Sequence, residues 1–141
     1  MLKIYTMSSC SSCRKAIKWA QEHELPYKEI NINRGEITKD DLRTILSLTE
    51  EGADELIAKE SIAYKQLNIN FQSILLDNLL ELMLEYRTLI KRPILIDDTK
   101  VLIGYHMEHV RKFLPRDVRK VQLNLALENL KVKDKINNKI S

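Results

Sequence analysis

Strand-like and helix-like segments alternate over the first part of the chain. The apolar run 2–6 has strand character, and residues 25–32 have the same character further along. Between them, residues 11–23 have helical spacing, with one apolar face formed by Cys13, Ala16, Ile17 and Ala20. A strand, a helix and a strand of these lengths predict a right-handed βαβ unit with two parallel strands.

The hydrophobic pattern changes character between residues 37 and 90. Apolar positions recur there at helical spacing, first at Leu42, Ile45, Leu46 and Leu48 and again around residues 75–86. Gly52 interrupts the pattern between these two stretches. We therefore predict a helical lobe over about residues 37–90, inserted between the βαβ unit and the remainder of the fold.

Strand character returns at residues 94–96 and 101–103, and the Asp97-Asp98 pair between them predicts a β-hairpin. A short helix over residues 106–114 and a final helix should follow. After residue 130 the sequence lacks a stable apolar face, which predicts a disordered basic tail over residues 131–141. The pattern as a whole predicts a single domain over residues 1–130.

Composition narrows the class of protein. A chain of 141 residues that is 44% hydrophobic can bury its own core without structural disulfides. No apolar stretch approaches the roughly 18 residues of a membrane span, and no signal peptide precedes the first strand. We therefore expect a cytoplasmic protein with no membrane partner. The net charge is +3, but residues 106–141 carry nine Lys or Arg against four acidic residues, so this end is locally basic.

Cys10 and Cys13 are the only cysteines, and they lie where the first strand gives way to the first helix. The unpaired N–H groups and dipole of a helix start favour a thiolate and lower a cysteine pKa, and Arg14 and Lys15 add positive charge. A spacing of three in a first turn brings the two Cα atoms within disulfide range, about 5–6 Å. Because stable disulfides are uncommon in the cytoplasm, the spacing predicts a catalytic or sensory redox pair.

Two alternatives for the cysteine pair stay open at this point. The pair is half of a zinc site if a second ligand pair comes from His23, His106 and His109. The two cysteines are otherwise small buried hydrophobes without a chemical role.

A proline directly precedes the third strand. Pro93 follows Lys91 and Arg92, and a proline in such a position can take the cis form and would face the cysteine pair. The alternative is a simple strand entry. A Cys-x-x-Cys at the first helix with this proline opposite is similar to a thioredoxin-like fold. The predicted class is α/β, with a thioredoxin-like mixed sheet from about 1–36 and 91–130 and an inserted helical lobe.

Over residues 1–130 the chain resembles the Spx family of redox-sensing transcriptional regulators, within the wider arsenate-reductase-like proteins of thioredoxin fold. The Cys-x-x-Cys alone is a weak signal, whereas several segments together are specific. These segments are Tyr5-Thr6, Ser9-Cys10-Ser11-Ser12-Cys13-Arg14-Lys15-Ala16, Thr49-Glu50-Glu51-Gly52-Ala53-Asp54-Glu55, Lys91-Arg92-Pro93-Ile94-Leu95-Ile96-Asp97, Gly104-Tyr105 and Arg111-Lys112-Phe113-Leu114-Pro115-Arg116.

The resemblance implies a regulator that binds the C-terminal domain of the RNA polymerase α subunit and redirects transcription under thiol-oxidative stress. It implies that a Cys10–Cys13 disulfide is the switch, that Gly52 lies in the surface that meets the α subunit, and that Arg92 responds to the disulfide. Promoter DNA would be contacted only as part of that complex. No catalytic residue, metal or cofactor is implied.

Gly52 and Arg92 also have simpler interpretations. Gly52 offers a spot without a side chain where a partner backbone approaches closely, or it is a helix C-cap. Arg92 forms a surface ion pair with Asp97 or Asp98 if it has no role in the switch.

The chain departs from the family at two places. Glu60 stands where members resemble one another in carrying an arginine, and a carboxylate there would repel an oxyanion. The C-terminus ends Asn137-Asn138-Lys139-Ile140-Ser141 and differs from the end that a Clp-type protease and its adaptor are expected to recognise.

Two further functions remain as alternatives to the regulator. One is a thiol oxidoreductase or arsenate-reductase-like enzyme with Cys10 as nucleophile and Cys13 as resolving thiol. The other is a constitutive partner-binding module whose cysteines are incidental.

Overall fold

A four-stranded mixed sheet forms the centre of the fold in a computed structural model, which describes residues 1–140 and the side chains of residues 1–131. The strands lie in the order β2–β1–β3–β4. Their bounds are β1 (Leu2–Thr6), β2 (Tyr27–Asn31), β3 (Ile94–Ile96) and β4 (Val101–Ile103). Strand β1 is parallel to β2 and antiparallel to β3, which is antiparallel to β4. The predicted α/β class with a mixed sheet is confirmed.

Helix α1 (Ser11–Glu22) connects the two parallel strands. Residues of β1 and β2 pair in register from Leu2 with Tyr27 to Thr6 with Asn31. At the other edge, Asp97 closes the turn between β3 and β4, because its Oδ1 accepts the backbone N–H of Lys100 at 2.8 Å. The predicted parallel pair and the predicted hairpin are both confirmed.

Side chains of β1 alternate between two hydrophobic clusters, as the period of a strand requires. Leu2 and Ile4 join the cluster formed with α1 and with the 3₁₀ turn Val110–Phe113. Tyr5 and Met7 join the larger cluster, which the helical segments between β2 and β3 complete. The sheet is therefore covered on both faces, and the first helix and the lobe pack on opposite sides of it.

Four helices lie between β2 and β3: α2 (Lys39–Ser47), α3 (Ala53–Leu56), α4 (Ile62–Leu67) and α5 (Leu76–Glu85). The helices predicted near residues 42–48 and 75–86 are confirmed as α2 and α5. Helix α2 begins with a capping box in which Thr38 and Asp41 each accept the other's backbone N–H. The remaining two helices are each under two turns long, too short for hydrophobic periodicity to reveal.

The C-terminal part differs from the predicted pattern. The helix predicted over residues 106–114 is only the 3₁₀ turn Val110–Phe113. It ends at Phe113 because Leu114 precedes Pro115 and takes the extended conformation that a proline favours in its neighbour. Helix α6 follows at Arg116–Ile140. The described backbone is helical through residues 131–140, where the sequence predicted a disordered tail over residues 131–141; residue 141 lies outside the described residues.

Substitution of a β1 core residue tests this arrangement. Ile4 is fully buried in β1, and Ile4→Ala should lower the free energy of unfolding by about 2–5 kcal/mol, since the cavity adds to the lost apolar burial. Urea denaturation of the reduced protein measures this change. Ile62→Ala is the matched control, because Ile62 is 71% exposed and should change stability by less than about 1 kcal/mol. Equal effects of the two substitutions would contradict the described core.

Candidate functional site

Cys10 is the N-cap residue of α1. Its backbone is extended, with φ −110° and ψ 107°, and its Sγ accepts the backbone N–H of Cys13 at 3.2 Å. The Cys10 carbonyl accepts the first intrahelical bond, from the N–H of Arg14 at 3.2 Å. Both cysteines are free thiols. The sulfur of Cys10 therefore satisfies one of the N–H groups that a helix start leaves unpaired.

The two thiols have different surroundings. Cys10 is half-buried, whereas Cys13 is only 2% exposed and lies in the hydrophobic core. Burial raises the pKa of Cys13 to about 12, and its hydrogen bond with Cys10 acts in the same direction. The backbone N–H of Met7 and the charge of Arg92 lower that pKa by smaller amounts.

The cysteine pKa predicted from the helix start is therefore wrong for Cys13. Its side chain lies in the first turn of α1 but turns into the core, where desolvation outweighs the helix dipole and the positive charges. The alternative of two small buried hydrophobes fails for Cys10, which is half-buried and caps the helix. The pair thus consists of one accessible thiol and one protected thiol.

Arg92 lies just before β3, close enough to the cysteine pair for its charge to lower the pKa of Cys13. Strands β1 and β3 pair Lys3 with Ile96 and Tyr5 with Ile94. The start of β3 therefore lies beside the end of β1, from which the cysteine loop departs. The Arg92–Pro93 peptide bond is cis, as predicted.

The guanidinium of Arg92 is held by backbone carbonyls. Its Nη1 donates to the carbonyl of Thr88 at 3.1 Å and to that of Ile90 at 3.2 Å. The ion pair proposed as an alternative is wrong, because Asp97 pairs with Lys100 at 2.9 Å and no ion pair of Arg92 occurs among the described side chains. Arg92 is thus hydrogen-bonded to the segment that precedes it, and not to the β3–β4 hairpin.

Gly52 is the N-cap of α3, so the helix C-cap alternative is wrong. Its φ of 76° and ψ of −145° lie in a region that is essentially restricted to glycine. Its N–H donates to Thr49 Oγ1 at 3.1 Å. A Cβ atom added at Gly52 would meet no other atom within 4 Å, so the position opens onto free space.

A cleft of about 640 Å³ lies between α3 and Arg92. Arg92 and close neighbours of Gly52 in the chain, such as Glu51 and Asp54, therefore line one cleft. Its charged lining residues are Glu51, Asp54, Glu55, Glu60, Lys59, Lys91 and Arg92. Asp54 and Lys59 pair at 2.7 Å, and Glu60 is exposed. Sequence reasoning singled out Glu60 but missed the other three carboxylates.

A second feature that the sequence did not indicate connects Arg92 to α3. The backbone N–H of Ala58 donates to the Leu89 carbonyl at 2.7 Å, and that of Lys91 donates to the Leu56 carbonyl at 2.8 Å. Between these bonds, Ile57 and Ile90 form an antiparallel bridge. We call residues 56–58 and 89–91 the 57–90 bridge. In the sequence, the pattern that could predict this bridge is the pair of adjacent apolar residues in each segment, Leu56-Ile57 and Leu89-Ile90.

The histidines do not assemble a metal site with the cysteines. His23 Nδ1 lies 2.8 Å from the Trp19 carbonyl, and the rings of His106 and His109 lie 5.8 Å apart, edge to face. Within the described part of the chain, no group of three or more His, Cys, Asp or Glu is placed to hold a metal ion. Nor does any described helix combine the length and apolar character that crossing a bilayer requires.

Comparisons with known proteins agree with this geometry. The model of the ArsC family matches residues 5–113. The global transcriptional regulator Spx of Enterococcus faecalis is 44% identical over 126 residues, which are 89% of this chain and 96% of that protein. The protein of the same name from Bacillus subtilis is 43% identical over the same shares of both chains.

Solved structures show the same fold. An arsenate reductase from Vibrio cholerae superposes with a TM-score of 0.69 at 23% identity, over 80% of this chain and 97% of that one. A Staphylococcus aureus protein superposes with a TM-score of 0.70 at 26% identity, over 79% of this chain and 97% of that one.

The unequal exposure of the two thiols predicts unequal alkylation. In the folded, reduced protein, iodoacetamide should modify Cys10 at least about tenfold faster than Cys13, because Cys13 is buried and its raised pKa leaves little thiolate. Peptide mass spectrometry after timed quenching measures both rates. Modification in urea is the control, in which the two rates should converge. Equal rates in the folded protein would contradict the described burial.

The raised pKa of Cys13 also predicts a loss of stability in alkali. The folded thiol keeps its proton to about pH 12, while the unfolded thiol loses it near its ordinary value of 9.0. The folded state therefore binds more protons above pH 9, and stability should fall by up to about 1.4 kcal/mol per pH unit from there to pH 12.

Urea denaturation of the reduced protein at pH 8 and pH 10 measures this loss. Cys13→Ala should lose less stability over the interval than the unaltered chain, by about 1 kcal/mol. Burial followed by the charge of Asp41 raises the pKa of Tyr5 to about 12 from 10.0, so the phenol adds its own loss mainly above pH 10. An identical pH dependence of the two proteins would contradict a buried, protonated Cys13.

Proposed function

The chain belongs to the ArsC family and, within it, to the Spx transcriptional regulators, and from this premise we propose that it is a redox-sensing regulator of transcription. It acts in the cytoplasm by binding the C-terminal domain of the RNA polymerase α subunit. The observation that carries the proposal is the Cys10–Cys13 pair at the start of α1, with the charge of Arg92 acting on Cys13, together with an open Gly52. Relatives named Spx that are 42–44% identical over 89% of this chain support the same function.

Disulfide formation between Cys10 and Cys13 is the proposed input. The two thiols release two protons and two electrons to an oxidant, such as an azo compound of the diamide type, and one S–S bond forms. The contact between the Cys10 sulfur and the Cys13 N–H supports this step, since it shows that the cap geometry already draws the two residues together. The half-buried Cys10 is the thiol that an oxidant reaches first.

The surface at Gly52 is the proposed binding surface for the α C-terminal domain. It is bare of side-chain atoms, so a partner backbone can approach it closely. The cleft beside it is lined by Arg92, whose charge acts on Cys13, and this supports a connection between the cysteine pair and the proposed partner surface. A change near Arg92 therefore has a short route to the partner.

Two additional partners belong to the same proposal. Promoter DNA is contacted once the polymerase domain has positioned the protein, with Arg116, Arg119 and Lys120 at the start of α6 available to phosphates. A Clp-type protease and its adaptor limit the amount of the regulator.

A thiol-dependent reductase is the alternative function, and the shared fold with an arsenate reductase is what favours it. Two observations count against it. The carboxylates of Glu51, Asp54, Glu55 and Glu60 in the cleft would repel an oxyanion. The raised pKa of Cys13 leaves little of this thiol ionised at pH 7, which slows a resolving step that must recur in every turnover. Thiol-dependent reduction of arsenate or of a disulfide substrate by the purified protein would support the alternative.

A binding experiment with the α C-terminal domain tests the regulator. Affinity should differ between the reduced protein and the protein oxidised with diamide, and that difference should vanish in Cys10→Ala and Cys13→Ala. Isothermal titration of the purified domain measures each affinity. Equal affinity of the unaltered chain in both states would contradict the disulfide switch. No binding in either state would contradict the α C-terminal domain as the partner.

The same titration tests the Gly52 surface. Gly52→Gln should weaken binding at least about tenfold, because a side chain now stands where the partner backbone approaches. The backbone conformation of Gly52 makes this variant less stable by about 1–3 kcal/mol, so its folding must be checked by urea denaturation. Lys28→Gln on the exposed edge strand is the control and should bind normally. Normal binding by folded Gly52→Gln would exclude this surface.

A further inference from the structure

A cavity of about 290 Å³ lies between the sheet and helix α2, and none of the residues assigned to the proposed switch lines it. Strand β1 contributes Tyr5 to the lining, β3 contributes Ile96, and α2 contributes Asp41. The polar groups of this cavity therefore have no part in the function proposed above.

The Tyr5 hydroxyl opens into this cavity. Tyr5 as a whole is only 2% exposed, and its hydroxyl makes no hydrogen bond with the described residues. Within the same part of the chain, every fully buried side-chain nitrogen or oxygen atom has a partner, so the hydroxyl has to be the part of Tyr5 that reaches solvent. Burial is the main cause of the raised pKa of this phenol, and the charge of Asp41 adds to it. A carboxylate therefore lies close to the hydroxyl without bonding to it.

The polar side chains that α2 presents to the cavity offer acceptors. Thr44 Oγ1 donates to the Asp40 carbonyl at 3.0 Å, and Ser47 Oγ donates to the Thr44 carbonyl at 2.6 Å, so both hydroxyl protons are in use while the lone pairs remain available. Asp41 Oδ2 accepts the backbone N–H of Thr38 at 2.9 Å, and Asp41 Oδ1 has no partner among the described residues. This side of the cavity thus suits a ligand that is rich in N–H donors.

Two more carboxylates line the cavity from the turn between β3 and β4. Asp97 is already neutralised, because its Oδ2 pairs with Lys100 at 2.9 Å. Asp98 is exposed and forms no ion pair with the described side chains. Lys3 and the amino group of Met1 are the opposing charges, but both residues are exposed and neither pairs with an acid in the described part of the chain. Asp98 therefore remains as a second carboxylate without a cation.

The free carboxylates of Asp41 and Asp98 belong to different elements and do not form a metal site. In the part of the chain that the structure describes, no three His, Cys, Asp or Glu side chains come together to hold a metal ion. Two separate negative groups instead match two separate positive groups on one ligand. The apolar lining residues Leu48 and Ile96 suit methylene groups between them. At about 30 Å³ for each, the cavity has room for roughly ten non-hydrogen atoms.

We propose that this cavity binds a small aliphatic diamine. One ammonium group donates to the Tyr5 hydroxyl oxygen and to Asp41, and the other pairs with Asp98. The methylene chain contacts Leu48 and Ile96. An ammonium group carries three N–H donors and a full positive charge, which are what the acceptors of the lining lack.

Titration with putrescine, a four-carbon diamine, tests the proposal when it is followed by amide NMR at neutral pH and constant ionic strength. The amide signals of Tyr5, Thr44 and Asp98 should shift and saturate. Butylamine, which carries one charge, should bind at least about threefold more weakly, and butanediol, which has the same length and no charge, should produce no saturable shift. Shifts that do not saturate, or equal binding of butanediol, overturn the proposal.

Two variants remove single groups from the site. Tyr5→Phe removes only the hydroxyl and Asp98→Asn only the charge, and each should weaken putrescine binding at least about threefold. Tyr86→Phe and Asp117→Asn are the matched controls and should bind normally, because both residues are exposed and neither lines the cavity.

Unchanged affinity in either folded variant, Tyr5→Phe or Asp98→Asn, overturns the proposal. If Tyr5→Phe does not fold, Asp98→Asn decides alone, since Asp98 is an exposed turn residue. No polymerase domain enters these titrations, so their result is independent of the proposed function.

Discussion

The antiparallel pairing of β1 with β3 is the constraint on which the rest of the site depends. Strand β1 leads directly into the loop that presents Cys10, and β3 begins where the helical segments end. Three consecutive register pairs align these strands, so the start of β3, which Arg92 and Pro93 precede, lies beside the end of β1 from which the cysteine loop departs. A shift by one residue would move Leu95 out of the core. The buried side chains of β3 resist such a shift, so core packing holds the functional geometry in place.

Local signals explain how much of this fold the sequence could predict. The strands, α1, α2 and α5 are all long enough, or sharply enough bounded, for their hydrophobic period to be visible. Helices α3 and α4 are not, because four and six residues carry too few periods. The helix predicted over residues 106–114 is instead the 3₁₀ turn Val110–Phe113, and its end before Pro115 is a local effect that the apolar pattern alone did not reveal.

The sequence predicted which residues form the site but not how deeply each of them is buried or what it contacts. The cysteine spacing, the proline and the family motifs indicated Cys10, Cys13, Gly52 and Arg92. The depth of Cys13 could not be predicted, because it depends on how α1 packs against strands that are distant in sequence. The 57–90 bridge has the same origin, since a pairing between residues so far apart leaves no periodic trace in either segment. Long-range packing therefore decides the chemistry of groups that local sequence merely identifies.

The conformation of Gly52 has a consequence for how the partner surface can vary. With φ 76° and ψ −145°, the position disfavours every side chain by about 1–3 kcal/mol on backbone grounds alone, even though the space above it is open. Changes in affinity or in choice of partner must therefore come from the charged groups around it, such as Glu51, Asp54 and Glu55. The glycine at the point of contact therefore stays the same, whereas the charged residues around it can change. Related chains can thus bind different partners through the same point of contact.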